Sequence, residues 1–284
     1  MTNKTGPLLR MPASLAASLT CPVCARPLDQ GLSCAHGHSF DVAREGYASL
    51  LTGATPPGSG DSRDMVAARQ RFQEQGHYDP IGRALAEELA QRRVIVIVDV
   101  GGGTGHYLTQ VLTALPDAVG LTTDVSKFAA RRAARAHPRS GAVTADSWRR
   151  LPLADHTADA LINVFAPRNA AEFHRVLQPA GVLLVVTPAP DHLREPREAL
   201  GLLDVDPRKD ERLADSLGGH FDHVATRELR FTMELAHEDV LTVVGMGPSA
   251  RHVTYEELRA RVAALPDPFT TTASVRVQTY RRSE

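Results

Sequence analysis

Cysteine is scarce in this chain of 284 residues: three occur, at positions 21, 24 and 34. An odd number of thiols confined to one short stretch excludes the disulfide framework of small secreted proteins and points to a reducing, cytoplasmic setting. Long apolar runs are missing too. The segment Leu15-Ala16-Ala17 is far too short for the core of a secretory signal, and no later stretch is long enough to span a bilayer, so no membrane partner is expected. Net charge is nearly absent, at -1, which neither favours nor rejects nucleic acid and leaves the placement of the basic residues to decide. Internal repeats and low-complexity tracts are lacking as well. What remains, 43% hydrophobic and 23% charged, can bury one substantial core and a small appendage.

The three cysteines stand as Cys21-x2-Cys24 and Cys34-x3-His38. Two ligand pairs, each on a tight turn, complete the tetrahedron of a closed structural Zn2+ site, and three thiolates with one imidazole leave no open position. His36 competes for the fourth place, but Cys-x-His is too short a span to reach round one ion, so His38 is preferred. A ribbon this small lacks the core to fold without its metal. Modules of this kind grip something large rather than catalyse.

Residues 1–20 read as a loosely ordered extension, 21–52 as the zinc ribbon and 53–63 as a linker, because Gly53-Ala-Thr-Pro-Pro-Gly-Ser-Gly60 breaks any regular structure. The remainder, 64–284, reads as one α/β domain. Helical spacing of Met65, Ala68 and Phe72, then of Ile81, Leu85 and Leu89, places helices over 64–75 and 80–92. Val94-Ile-Val-Ile-Val98 is short, β-branched and apolar, as a central parallel strand is. Strands over 118–123, 141–145, 160–165 and 181–187 alternate with helices over 108–115, 127–136 and 170–177, the pattern of a doubly wound sheet. The last third alternates like antiparallel partners over 223–235 and 271–280, with helices at 238–244 and 255–265.

After the first strand comes Asp99-Val-Gly101-Gly-Gly103-Thr104-Gly105-His106, a glycine turn leading into a helix. There the backbone can approach a nucleotide-type ligand closely, and the helix N-terminus adds amide donors. Such turns also serve NAD-binding domains. The G-x-G-x-G spacing, with an acid two residues before the first glycine, resembles instead motif I of the class I S-adenosylmethionine-dependent methyltransferases. The second strand ends in Asp124, whose carboxylate can accept ribose hydroxyls in either family. The third leads into Asp146-Ser147-Trp148, where an acid would receive an adenine amino group, and the fourth ends at Asn163-Val-Phe165. Asp146 and Asn163 each read equally well as a cap or loop residue; together, at successive strand ends, they form one rim.

The motifs Cys21-x2-Cys24, Cys34-x3-His38-Ser-Phe-Asp41, Glu45-Gly-Tyr47, Asp64-Met-Val-Ala-Ala-Arg69, Gly76-His-Tyr78-Asp-Pro80 and Asn163-Val-Phe-Ala-Pro-Arg-Asn169 follow one another as they do in the RlmA family. Its members methylate N1 of a guanine in the large-subunit ribosomal RNA. From about Cys21 to Tyr280 the chain resembles most the actinomycete branch, which is linked to tylosin-type macrolide resistance. The resemblance implies S-adenosyl-L-methionine as methyl donor and a zinc at Cys21, Cys24, Cys34 and His38. It further implies cofactor contacts at Tyr78, Gly103-Thr104 and His192. The implied partner is 23S rRNA, with an extruded guanine of the 748 type in a hairpin, and a homodimer is compatible with it.

N1 of guanine carries a proton at neutral pH that must leave before or during attack. It lies on the Watson–Crick edge, so the base must be unpaired or extruded. His77, His106, His192, Asp146 and the amide of Asn163 are candidates to handle it, and Phe165 or Trp148 to stack on it; the sequence does not choose among them. Arg131, Arg135 and Arg149 are candidate phosphate contacts. Two other functions compete. A small-molecule methyltransferase would have no reason for a zinc ribbon, and a non-enzymatic RNA-binding protein would have no need of an intact glycine turn.

Overall fold

Apolar β-branched runs and amphipathic stretches alternate along the chain, and they build one mixed sheet with a core on each face. The computed structural model describes residues 8–53, 60–202, 209–246 and 254–284. In chain order the elements are α1 (Ala13–Ala17), β1 (Asp41–Val42), β2 (Ala48–Ser49), α2 (Arg63–Glu74), α3 (Asp79–Ala90), β3 (Val96–Val100), α4 (His106–Ala114), β4 (Val119–Asp124), α5 (Lys127–Ala133) and β5 (Ser140–Thr144). Then come β6 (Ala158–Val164), α6 (Ala170–Val176), β7 (Leu177–Pro188), α7 (Arg194–Leu200), α8 (Lys209–Leu217), β8 (Phe221–Leu235), α9 (His237–Gly245), α10 (Tyr255–Val262) and β9 (Phe269–Arg282). The strand order is β1-β2-β5-β4-β3-β6-β7-β9-β8. β5, β4, β3, β6 and β7 run parallel, and β9 is antiparallel to both β7 and β8. This is the doubly wound sheet with an antiparallel C-terminal strand that the sequence pattern predicts.

Side chains leave successive strand positions on opposite faces, so Ile97 packs with Ile81, Leu85 and Leu89 of α3 and Leu108 of α4. Its neighbour Val98 packs with Phe173 of α6 and Leu213 of α8. The helical stripe expected before the sheet is present in α3; in α2 the expected Phe72 is buried, but Met65 is exposed and Val66 is buried in its place. The first strand is displaced from the expected 94–98 to Val96–Val100. The N–H groups of Ile95 and Val96 both donate to the Asp159 carboxylate at 2.9 Å, which holds this end while the ladder begins at Val96. Asp99 therefore lies inside the strand rather than after it.

Two expectations about the N-terminal part need correction. Over the described residues 8–20 the chain is not a loose extension: α1 forms, and Leu15 and Leu19 are fully buried in the second core with Leu28, Leu32 and Leu50 of the ribbon and Leu151 and Leu153. An apolar face of that size is more stable covered than in water. Nor is the ribbon set apart from the sheet. β2 pairs in parallel with β5, Ala48 opposite Val143 and Ser49 opposite Thr144, so the ribbon hairpin extends the main sheet by two strands. Most of the expected linker, residues 54–59, lies outside the described residues. No helix among the described residues is long and apolar enough to cross a membrane.

Candidate functional site

β3 and β6 are neighbours, but the sheet continues to β4 on one side and to β7 on the other. Their carboxyl ends therefore open a crevice at the switch point, where ligands of such sheets bind. A cavity of about 300 Å³ fills it. The turn Gly101–Gly103 forms one wall, Phe165, Ala166 and Arg168 after β6 another, and Thr187 to Leu193 after β7 a third; Tyr78, Val243 and Met246 close it.

The glycines are required by shape. Gly101 has φ +72°, and a Cβ there would lie 2.6 Å from the Ala166 Cβ. Gly103 has φ +59°, a region that L side chains rarely adopt, and its N–H donates to Asp124 Oδ2 at 2.9 Å. The other Asp124 oxygen accepts from the Ser126 N–H at 2.8 Å. Burial raises the Asp124 pKa against these two donors. Beneath the turn lies Asp99, fully buried, with neither carboxylate oxygen hydrogen-bonded among the described residues. Burial, then the Asp124 charge, pushes its pKa up to about 8. A buried carboxylate without a partner calls for a cationic or N–H-bearing ligand group, which suits the amino end of S-adenosylmethionine, while Asp124 at the next strand end suits ribose hydroxyls.

Phe165, Tyr78 and His192 meet across the cavity. Ring centroids are 6.1 Å apart for Tyr78 and Phe165 and 6.0 Å for Phe165 and His192. The Ser274 N–H donates to His192 Nδ1 at 3.1 Å, so the neutral ring carries its proton on Nε2, 3.4 Å from the Tyr78 hydroxyl. Phe165 sits at φ +53°, a conformation that costs a bulky residue about 1–3 kcal/mol and clusters at functional sites. Its N–H is fixed to the Val186 carbonyl at 3.2 Å, and the residue stays 41% exposed, open to stacking.

Other expected residues stand around this cavity rather than on it. Thr104 donates to Gln73 Oε1 at 2.7 Å, and Gly105 is the left-handed N-cap of α4. Asp146 accepts the Trp148 N–H at 2.9 Å, which is the loop reading of that residue, and Ser147 is buried beside it. Asn163 does not reach the cavity as a group that could hold a base: it is fully buried, and its Nδ2 donates to the carbonyls of Val100 and Pro167 at 3.1 and 3.0 Å. It ties the end of β3 to the segment after β6. His77 turns away too, 3.5 Å from Asp239 and 3.1 Å from Gln75, and His106 faces Asp79 and Gln110. Five polar wall residues had no assigned role in the sequence: Arg69, Gln73, Tyr107, Arg168 and Thr187. Arg69 and Arg168 lie inside quoted motifs, but spacing does not tell which helix or loop side chain faces a cavity.

The ribbon brings Cys21, Cys24, Cys34 and His38 together, with all four ligand atoms within 4.8 Å of one another. Cys24 and Cys34 sulfurs are 3.6 Å apart, and His38 Nδ1 is 3.5 and 3.4 Å from the sulfurs of Cys21 and Cys34. Tetrahedral Zn2+ with ordinary bond lengths requires edges of about 3.8 Å between sulfurs and about 3.6 Å from sulfur to nitrogen. The donor set fits zinc, and His36 is not part of it.

Comparison with known proteins agrees with this geometry. Residues 19–53 match the model of the N-terminal RlmA zinc ribbon, and residues 98–185 match a methyltransferase domain. A chain solved in work on the conversion of a disulfide bond into a thioacetal group during echinomycin biosynthesis shares the fold. Its TM-score is 0.50 and identity 16%, over 72% of this chain and 82% of that one. The protein is thus a class I S-adenosylmethionine-dependent methyltransferase with a structural zinc ribbon. It is 49% identical to the 23S rRNA (guanine(748)-N(1))-methyltransferase of Streptomyces fradiae, over 90% of this chain and 94% of that protein. To a candidate 23S rRNA (guanine-N(1)-)-methyltransferase of Micromonospora griseorubida it is 52% identical, over 95% of this chain and 99% of that protein. The chain belongs to this RlmA-type family of 23S rRNA (guanine-N1)-methyltransferases.

Proposed function

We propose that this chain transfers a methyl group from S-adenosylmethionine to N1 of a guanine of the 748 type in a 23S rRNA hairpin, and that the modification lowers binding of tylosin-type macrolides. The observation that carries the reading is an RlmA-type ribbon built into the sheet of the methyltransferase itself, in a chain that matches the guanine-748 enzyme of Streptomyces fradiae over nearly its whole length. The bound cofactor supplies a methyl carbon activated by a positive sulfur. The chain supplies orientation and proximity. Gly101–Gly103 would hold the amino-acid end, with the unpaired Asp99 beneath the turn favouring its positive charge, Asp124 the ribose, Asp146 and Ser147 the adenine, and Tyr78 with His192 the face toward the acceptor, where Phe165 would stack on the extruded base.

RNA outside the cavity would follow the basic groove beside it. Two of the three candidate phosphate contacts, Arg131 and Arg135, line a groove of about 680 Å³ together with Arg63 and Arg132; it also takes in Glu45 of the ribbon, and Gln73 borders both groove and cavity. Phe128 lies among them with the guanidinium carbons of Arg63 and Arg131 each 5.7 Å from its ring. Arg149 is not part of this groove; it pairs with Asp146 and with the Thr52 carbonyl. The test is methyl transfer from labelled cofactor to 23S rRNA, mapped by primer extension, because an N1-methyl stops reverse transcription. A stop at the hairpin guanine is expected. Labelling of a macrolide or its precursor with none in rRNA overturns the reading.

A further inference from the structure

Removing the N1 proton leaves a negative charge shared between N1 and O6 of guanine, and something in the cavity has to favour that anion. The wall offers no carboxylate among the described residues: its titratable side chains are Arg69, Tyr78, Tyr107, Arg168 and His192. Neither tyrosine ionises readily, since burial raises both pKa values. The Ser274 N–H occupies His192 Nδ1, which leaves Nε2 protonated. Asp99 lies beneath Gly102, fully buried and off the wall. Arg69 has its own counter-ion, Asp61, at 2.8 Å. Arg168 differs: it forms no ion pair with a described carboxylate, and its Nη1 makes one long contact, 3.5 Å to the Ala166 carbonyl on the same wall. Burial lowers its pKa, opposed by the Tyr280 phenol, as for a partly desolvated cation.

We propose that Arg168 is a catalytic residue that donates to O6 of the target guanine and holds the charge released when N1 loses its proton, so that no side-chain base is needed. This rests on the guanine-N1 reading above. The N1 proton passes to solvent water, the freed electron pair forms the N1–carbon bond, and the carbon–sulfur bond breaks with its pair remaining on sulfur. The positive charge of the sulfonium is thereby lost as the anion is quenched. A planar guanidinium can present two N–H groups to one carbonyl edge, which Lys cannot reproduce, and fixed donors aimed at developing charge are among the strongest catalytic effects.

The test compares Arg168→Ala and Arg168→Lys with wild type in single-turnover methylation of the 23S hairpin, alongside cofactor and RNA affinity. The expected result is a loss of about a hundred- to a thousand-fold in rate for Arg168→Ala. KM for RNA and cofactor affinity should stay within about threefold, Arg168→Lys should fall between, and added guanidinium should partly restore the Ala variant. Wild-type rates in Arg168→Ala, or a loss matched by equal loss of cofactor or RNA affinity, overturns the assignment while leaving the rRNA reading intact. If wild type itself does not methylate guanine N1, both fall together. Cofactor affinity of the variants separates misfolding from lost chemistry.

Discussion

Asp99 is a carboxyl group with no hydrogen-bond partner among the described residues, in the middle of a sheet, and that makes it a proton-linked weak point. Its folded pKa of about 8 stands above the ordinary 3.8, so between these limits the folded chain holds a proton that the unfolded chain has lost. The stability associated with the neutral carboxyl is complete below about pH 4 and is lost as pH rises toward 8. Thermal melts of the cofactor-free protein should therefore show a midpoint that falls across this window. Asp99→Asn should flatten the slope and raise the midpoint near pH 8, yet weaken S-adenosylmethionine by about 1.5–3 kcal/mol, the scale of a hydrogen bond to a charged group. An unaltered pH slope in the variant places the titrating group elsewhere. The same tension between stability and use is seen at Phe165, whose backbone strain is held by the Val186 carbonyl while its ring remains open to the cavity.

At the scale of elements, the α4–β4 connection shows how an arginine can be structural. α4 stops at Ala114, and Leu115 turns away with φ -115° and ψ 88°, leaving terminal carbonyls without helical donors. Arg139, the residue immediately before β5, supplies them: its guanidinium donates to the carbonyls of Leu112, Leu115 and Ala118. Arg139→Ala should cost about 1.5–3 kcal/mol, read as a lower urea midpoint, with no effect on the salt dependence of RNA binding. If it instead changed RNA binding and left stability alone, the side chain would belong to the groove.

At the scale of the whole molecule, Cys21 and Cys34 share a core with Val98, Leu121 and Val185 of the central sheet, so ribbon and sheet are expected to unfold together. Structural zinc sites contribute about 10–16 kcal/mol in small ribbons, as much as the whole stability of a typical domain, about 5–15 kcal/mol. Metal analysis should find about one zinc per chain. Cys24→Ser or a strong chelator should lower the main calorimetric transition by several degrees and weaken cofactor binding, instead of unfolding the ribbon alone. An unmoved main transition after metal loss shows separate modules. The groove walled by α2, α4 and α5 beside Glu45 of the ribbon gives a further check: Arg135→Ala should leave stability within about 0.5 kcal/mol. It should also reduce the slope of log affinity against log salt by about one; an unchanged slope takes the RNA path off this groove.

Local spacing by itself determined the zinc ligands, the glycine turn and the alternation of strands and helices, because each depends on residues close in the chain: Cys21, Cys24, Cys34 and His38, then Asp99 to Gly105. The periodicities of 2 and 3.6 also reached the central strands within a few residues. Tertiary structure alone decided what long-range contacts decide. It turned residues 13–20 into a packed helix and turn, annexed the ribbon to β5, and committed Asn163 to the carbonyls of Val100 and Pro167. His77 was likewise turned from the cavity and Arg168 set on its wall. Which way a side chain points at the end of a strand depends on partners tens of residues away, and no short-range pattern carries that information.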